Sequence, residues 1–143
     1  MDATDKELDH MQKAWILNNE DTWHGFSHIE DDYVMLDPIK ITIQTPGLKG
    51  DGTYKKEGIP AAIVTDYLIK QGVVVEKTDT YSFLLLHSFG TTEGKHGDLL
   101  AGLLAFKRDY DNNTLLMELF LDVVKNNPRF EGKGLYDLCH EMN

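Results

Sequence analysis

The sequence predicts an α+β fold in which helices pack on a small, mostly antiparallel sheet. In the first two thirds of the chain, one segment alternates in polarity, one is a β-branched run and one is largely apolar, and these patterns predict strands. Apolar residues at helical spacing lie between the first two strands and dominate the C-terminal third. The predicted order is strand, helix, strand, strand, helix, helix, which is typical of helices layered on a sheet.

The first predicted strand covers residues 33–44. Ile39, Ile41 and Ile43 alternate there with polar residues, a period of two, and the Thr-Pro-Gly sequence at 45–47 stops the pattern. Residues 1–20 carry little apolar periodicity. We therefore expect residues 1–21 to form a poorly anchored N-terminal segment and residues 22–143 to form a single α+β domain.

A helix is predicted next, and it would lie between the first two strands. Pro60 suits its first turn, and Gly72 suits a left-handed position just beyond its end. Its apolar stripe comprises Ile63, Val64, Tyr67 and Leu68. The β-branched run at 73–75 and the apolar segment 81–89 predict two further strands. A helical crossover would make the first two strands parallel or separate them in the sheet.

The chain after residue 98 is predicted to be helical. One stripe has apolar residues at helical spacing: Leu99, Leu103, Phe106 and Tyr110. Asn113 or Thr114 is expected to cap a third helix, which ends before Pro128. That helix would carry Leu116, Leu119 and Val123, and a final short helix would contain Leu135, Leu138 and Met142.

Composition excludes several classes of protein. The net charge is -10, which argues against nucleic acid as a partner because phosphate binding needs clustered Lys and Arg. No apolar run reaches the roughly 20 residues that span a bilayer, and the acidic, polar N-terminus is not typical of a secretory signal. We expect no membrane association and a cytoplasmic location. Cys139 is the only cysteine, so an intrachain disulfide is impossible, and we expect a buried thiol.

No metal site is predicted. The acidic run at 30–32 lacks the alternating ligands of a calcium loop, so a solvated turn is the better interpretation. His28, His96 and His140 have no ligand-like spacing. His24 suits either an access channel or a turn stacked under Trp23, and we favour the turn. The Thr-Pro-Gly segment and the helix after it suit an anion or an ordinary turn, and again we favour the turn.

Several rigid motifs resemble those of the bacterial pyridoxal-phosphate (PLP) decarboxylases of lysine, arginine and ornithine. They occur in the same order and at similar spacing over roughly residues 22–142. The motifs are Trp-His-Gly-Phe at 23–26, Leu-Asp-Pro-Ile-Lys-Ile-Thr at 36–42, Thr-Pro-Gly at 45–47, Gly-Ile-Pro-Ala at 58–61, Gly-Val-Val-Val-Glu-Lys-Thr at 72–78 and Phe-Lys-Arg at 106–108.

The resemblance implies a place in a larger enzyme. It places these residues after the PLP-binding domain, in the small domain of an aminotransferase-like fold. Members of the family are cytosolic homodimers, often assembled into rings, with a response-regulator-like wing, a large cofactor domain and a further C-terminal domain. This chain is expected to lack those three parts. Its implied partners are the remaining domains, a full-length homologue or a second copy of itself, as a homodimer.

The PLP-binding residues of the family are absent. Its Schiff-base lysine follows a Ser-x-His pattern, and Ser-x-His-Lys does not occur in this sequence; His87 is followed by Ser88. Lys40 and Lys77 match other family positions. We therefore predict no catalytic residue and no PLP bound to this chain alone, although the parent family uses PLP.

Glu76 is the one predicted substrate-binding residue. It matches a family glutamate placed near the distal amine of the substrate, and a carboxylate paired with an ammonium would favour diamino acids. The competing interpretation is an exposed glutamate at a strand end beside Lys77. The sequence departs from the family directly afterwards, because the usual Gly-Pro-Tyr-Asn is here Asp-Thr-Tyr-Ser at 79–82.

The sequence and the resemblance predict one function and leave one alternative. The first is a fragment of a basic amino-acid decarboxylase that supplies part of the substrate-pocket wall and is inactive alone. Lysine is favoured over arginine and ornithine, because residues 94–100 and 106–110 resemble a lysine-preferring branch. The alternative is a stand-alone, non-catalytic interaction domain that kept this fold and binds a full-length decarboxylase or another protein.

Overall fold

The computed structural model describes residues 15–21, 24–26, 28–30, 34–49, 51–87, 90 and 92–142. The chain divides into two compact units, residues 1–40 and 41–143. In the smaller unit, Ile16 and Met35 form an isolated antiparallel bridge, and the Leu17 N–H donates a 3.0 Å hydrogen bond to the carbonyl of Val34. The domain boundary expected after residue 21 stays a prediction.

A three-stranded sheet contains β1 (Lys40–Gln44), β2 (Lys77–Thr78) and β3 (Ser82–Leu86) in the order β1-β3-β2. β2 and β3 pair antiparallel through a tight hairpin, closed by a 2.8 Å hydrogen bond from Asp79 N to Ser82 O. Thr45 N donates to Tyr81 O at 2.9 Å, so the end of β1 lies beside the start of β3, as in an antiparallel pair. The antiparallel prediction is confirmed, and β3 separates the first two strands.

The helices are α1 (Ala61–Lys70), α2 (Glu93–Asp111), α3 (Leu116–Leu119), α4 (Leu121–Asn126) and α5 (Leu135–Glu141), with a 3₁₀ turn at Pro128–Phe130. They share one core with the sheet. The most completely buried large side chains come from β3 and from α1, α3 and α5: Phe83, Leu68, Leu116, Leu135 and Cys139. The α+β class is confirmed, and so is the buried thiol.

The strand predicted at 73–75 is wrong. Gly72 has φ +85°, and its N–H donates to Ile69 O while Val73 N donates to Leu68 O, at 2.9 and 3.1 Å. These are the paired bonds of a Schellman motif, which closes the end of α1. Because the backbone of Val73 completes that motif, strand pairing starts later, at Lys77, and the N–H of Glu76 donates to Leu84 O just before it.

The prediction of a single third helix is also wrong. The stripe of Leu116, Leu119 and Val123 is divided between α3 and α4, because Phe120 leaves helical geometry at φ −135° and ψ 53°. The residue that precedes α3 is Leu115, so neither predicted residue caps this helix. Among the described residues, no helix is both long enough and apolar enough to cross a membrane.

Candidate functional site

Glu76 lies on an exposed edge of the sheet. It directly precedes β2, an outer strand, and its side chain is exposed. Its N–H donates a 2.9 Å hydrogen bond to the carbonyl of Leu84, the residue that pairs with Lys77 in the β2–β3 ladder. The backbone of Glu76 is therefore held in place while its carboxylate stays open to a ligand or to solvent.

The hairpin that follows Glu76 is anchored to α1. Thr78 Oγ1 donates to Thr65 Oγ1 at 3.3 Å, and the first helical N–H, of Ala61, donates to Thr80 O at 2.8 Å. Asp79 Oδ1 accepts the N–H of Thr80 at 2.7 Å and stiffens the turn itself. The departure from the family pattern at 79–82 therefore falls in the hairpin turn, which stays ordered through Asp79 and its contact with α1.

The Thr-Pro-Gly segment packs directly against the same hairpin. Gly47 has φ +133°, and a Cβ at this position would lie 2.2 Å from Cε1 of Tyr81. The carbonyls of Pro46 and Gly47 accept N–H groups from Ile59 and Lys55, both at 2.7 Å. These contacts favour the turn interpretation over an anion site. Thr45 Oγ1 is buried and has no hydrogen-bond partner among the described residues.

An apolar cleft of about 320 Å³ opens between α1 and the C-terminal helices. Its floor includes Ile63, Phe120 and Phe130, and its lining carries two opposite charges, Asp66 and Arg129. The volume is within the range of ligand pockets. Sequence analysis missed this cleft, because its walls come from four elements that only the tertiary fold brings together.

The apolar cleft does not fit PLP. The lining of the cleft contains no lysine that could form an imine with the cofactor. Lys70 Nζ donates to Leu119 O at 2.8 Å and lies over the ring of Phe120, while Lys107 and Lys133 form ion pairs with Asp111 and Glu141. With no lysine in its lining, the cleft offers no group to form an imine with the cofactor.

His24 holds a turn. Its Nδ1 accepts the N–H of Phe26 at 3.1 Å, and its Nε2 lies 2.9 Å from the carbonyl of Asn18. The Nε2–H tautomer satisfies both contacts. Trp23, under which His24 was expected to stack, lies outside the described residues, as do two of the three acidic residues of the predicted solvated turn at 30–32.

Two histidines that the sequence did not connect lie in contact. His87 follows β3 and His96 lies in the first turns of α2, nine residues later, with their Nε2 atoms within hydrogen-bonding distance. The rings stack with centroids 4.3 Å apart and planes 15° apart. Within the described residues there is no cluster of three or more metal-ligating side chains, so this pair is a two-nitrogen arrangement.

Comparison with known proteins identifies relatives. Residues 2–95 match the family model described as Orn/Lys/Arg decarboxylase, major domain. Lysine decarboxylase LdcA of Pseudomonas aeruginosa is 48% identical over 130 residues, which are 90% of this chain and 17% of the relative. The biodegradative arginine decarboxylase of Escherichia coli K12 is 40% identical over 142 residues, 99% of this chain and 19% of the relative.

A solved structure has the same fold. The constitutive lysine decarboxylase of E. coli superimposes with a TM-score of 0.79 at 40% identity, over 89% of this chain and 18% of that one. The chain thus spans less than a fifth of the length of these relatives. The matched family model ends at residue 95, in the first turn of α2.

Proposed function

The chain belongs to the ornithine/lysine/arginine decarboxylase family, and from this membership we propose that it is one segment of a cytoplasmic, PLP-dependent decarboxylase of basic amino acids. Residues 22–143 would be its small domain and supply part of the substrate-pocket wall. Lysine is the favoured substrate. The higher identity to a lysine decarboxylase, 48% against 40% for an arginine decarboxylase, supports that preference.

The observation that carries this proposal is the placement of Glu76. Its carboxylate is exposed at the sheet edge, on a backbone that is tied to β3 and through the hairpin to α1. A rigid support of this kind is what a substrate-positioning carboxylate needs. In a pocket completed by other domains, a pair with a substrate ammonium would contribute about 1.5–3 kcal/mol. Arginine and ornithine are the alternative substrates, because they too carry a distal cation.

We propose that the chain alone does not decarboxylate amino acids. The described residues offer no imine-forming lysine in the apolar cleft, and the sequence has no Ser-x-His-Lys motif. Incubation of the purified chain with PLP and lysine should give no more cadaverine than a protein-free mixture of PLP and lysine. The proposal would be refuted if the purified chain, free of contaminating decarboxylases, formed the amine and released CO₂.

A chimera tests the role of Glu76. Residues 22–142 of this chain would replace the matching segment of LdcA of P. aeruginosa, and Glu76→Gln would be made in that active chimera. Loss of the charge should raise the KM for lysine at least about tenfold, because the charged hydrogen bond is lost.

Glu131→Gln is the matched control, an exposed carboxylate beyond the 3₁₀ turn. An unchanged KM in Glu76→Gln would remove Glu76 from the substrate pocket. A chimera that folds and binds PLP but lacks all activity would contradict the equivalence of the two segments.

The alternative proposal, an interaction domain, is favoured by exposed apolar surface. Val74 is 84% exposed, and Leu100 and Leu104 on α2 are 61% and 60% exposed. Burial of this surface would favour a homodimer or a complex with a full-length decarboxylase. Sedimentation should show a dimer that dissociates in Leu100→Glu/Leu104→Glu, and a compact monomer at high concentration would contradict self-association.

A further inference from the structure

A tight turn after β1 places Asp51 and Gly52 at the surface. Lys49 N donates a 2.8 Å hydrogen bond to the carbonyl of Thr53, and Gly52 N donates a 3.0 Å hydrogen bond to the carbonyl of Lys49. Gly52 has φ +81°, a left-handed conformation that glycine adopts without strain. The backbone of the turn is therefore fixed by two hydrogen bonds, while Asp51 and Gly52 are exposed to solvent.

The side chain of Asp51 is held by Thr53. Its Oδ1 accepts the backbone N–H of Thr53 at 2.9 Å and the Thr53 hydroxyl at 2.6 Å. An aspartate bonded to the N–H two residues later is typical of turns. The hydroxyl bond, and after it the N–H bond, hold the pKa of the Asp51 carboxyl below its ordinary value of 3.8. The carboxyl is therefore ionised at neutral pH.

Asp51–Gly52 is the one place in the sequence where glycine follows aspartate or asparagine. In such a pair the glycine nitrogen can attack the side-chain carboxyl carbon of the aspartate, because no Cβ shields that nitrogen. A new C–N bond forms, the amide proton and the carboxyl hydroxyl leave together as water, and a five-membered succinimide results. Water then opens one of the two succinimide carbonyls, which gives aspartate or isoaspartate. The reaction needs no oxidant, reductant or cofactor.

We propose that Asp51 is the isoaspartate-forming site of this chain and that Thr53 restrains the reaction in the folded state. The attack needs a neutral carboxyl group, and the two hydrogen bonds from Thr53 favour the ionised form. It also needs the nitrogen of Gly52 to give up its proton, and that N–H is donated to Lys49. Both obstacles exist only in the folded turn. This inference is independent of the proposed decarboxylase role.

Isomerisation at Asp51 would change the loop around it. Isoaspartate routes the main chain through its side-chain carbons and so lengthens the backbone by one methylene group. The isolated antiparallel bridge between Leu48 and Tyr54 spans this turn, and the ring of Tyr54 lies against that of Tyr81 at a centroid distance of 5.5 Å. A longer backbone would weaken this bridge and the contact of the loop with Tyr81.

Incubation of the folded chain at pH 7 and 37 °C tests the site. Trypsin cleavage after Lys49 and Lys55 isolates the segment, and electron-transfer fragmentation distinguishes isoaspartate from aspartate. Isoaspartate should accumulate at Asp51 at least about threefold faster in Thr53→Ala than in wild type, because a hydrogen bond to the ionised carboxyl is lost. Thr53→Ser keeps the hydroxyl and should match wild type. Thr42→Ala, at an exposed threonine of β1, is the matched control and should also match it.

The unfolded chain provides the unrestrained rate. In guanidinium chloride, isoaspartate should form at Asp51 faster than in the folded wild type, because the contacts of the turn are absent. Asp51→Glu, which cannot close a five-membered ring, should remove the signal from this segment. Equal rates in Thr53→Ala and wild type would overturn the proposal, as would equal rates in the folded and unfolded chains. So would isoaspartate that forms at other positions while Asp51 stays intact.

Discussion

The side-chain oxygen of Asn113 accepts a 2.9 Å hydrogen bond from the backbone N–H of Tyr136, 23 residues later, at the start of α5. Its Nδ2 donates to Asp137 Oδ2 at 2.9 Å, and Asp137 also accepts the N–H of Gly134. Gly134 precedes α5 and has no side chain to cap it. A distant asparagine therefore satisfies the free N–H groups of the last helix.

Asn113→Ala should destabilise the chain by about 1–2 kcal/mol, the usual cost of a lost helix cap. The φ of Asn113, +47°, is left-handed, so alanine adds backbone strain that Asn113→Gly avoids. Urea unfolding followed by circular dichroism should rank the stabilities wild type, Asn113→Gly, Asn113→Ala. Asn126→Ala, an exposed asparagine at the end of α4, is the control, and an Asn113→Ala variant as stable as that control would contradict the capping role.

Tyr67→Phe should cost about 1.5–3 kcal/mol of stability. The Tyr67 hydroxyl donates a 2.6 Å hydrogen bond to Asp109 Oδ2, which joins α1 to α2 in a buried site. Burial, with the hydrogen bond to the Asp109 carboxylate, raises the pKa of Tyr67 to about 12, so the hydroxyl stays protonated. Removal of this donor leaves a buried charge less well satisfied. Tyr136→Phe, on an exposed ring, should change stability little in the same urea titration.

Asp109 should make the chain sensitive to acid. Burial alone would raise the pKa of Asp109, but hydrogen bonds from Tyr67 and Arg108 outweigh it and hold that pKa below its ordinary value of 3.8. Below the unfolded-state pKa, the unfolded chain binds more protons than the folded chain, so stability rises with pH in this window. The contribution is complete above the unfolded-state pKa and is lost as pH falls through the folded-state pKa.

Asp109→Asn should therefore flatten the dependence of unfolding free energy on pH below about 4. The measurement is urea unfolding at a series of pH values from 3 to 7. Asp122→Asn, which alters an exposed carboxylate in α4, is the matched control. An equally steep acid loss in Asp109→Asn and wild type would show that Asp109 does not carry the effect.

Cys139 should be inert in the folded chain. Burial raises the pKa of its thiol to about 12, and the side chain is fully buried in α5. At pH 8 the thiolate population falls roughly a thousandfold relative to an ordinary cysteine, and the reagent also lacks access. Ellman's reagent should label the native chain only at the rate of unfolding, and the urea-unfolded chain at once. Rapid labelling of the native chain would contradict this burial.

Two glycines should respond oppositely to alanine. Gly47→Ala should destabilise by at least about 2 kcal/mol, because φ is +133° and the new Cβ would overlap Tyr81. Gly97 lies exposed inside α2 with open space at its Cβ position, so Gly97→Ala should stabilise by about 0.5–1 kcal/mol. Thermal unfolding of both variants checks the two signs together.

A helix could be predicted from the sequence wherever a stripe of apolar residues runs along one uninterrupted helix. Ile63, Tyr67 and Leu68 mark the buried face of α1, and Phe106 marks that of α2. In both helices the residues that set the pattern also pack in the core. The sheet could be predicted in the same way. The alternating run before residue 45 and the apolar run after Tyr81 form β1 and β3, which are neighbours in the sheet.

The break between α3 and α4 could not be read from the stripe, because apolar spacing continues through it. Phe120 leaves the helix to pack edge-on against Tyr67, at a centroid distance of 6.4 Å. Lys70, from α1, supplies a hydrogen bond to the Leu119 carbonyl beside the break. The helix is interrupted by these tertiary contacts, and the local spacing of apolar residues gives no sign of them.

The candidate functional residues were likewise only partly predictable from the sequence. Glu76 was predicted from its motif, and its role stays a prediction; the structure describes the backbone contacts of this residue. His87 and His96 were not paired, because nine residues with a change of element between them match no helical or strand period. Asn113 was recognised as a capping residue but assigned to the wrong helix, since its partners lie beyond two further helices.

The brevity of β2 limits how copies of this chain can join. Only two residues, Lys77 and Thr78, offer ladder positions on that outer strand, so an incoming peptide would gain few backbone bonds there. Fibril-like stacking through this side is therefore disfavoured. An assembly built on this edge would therefore depend on side-chain contacts rather than on backbone pairing, and the exposed side chain of Glu76 lies beside it.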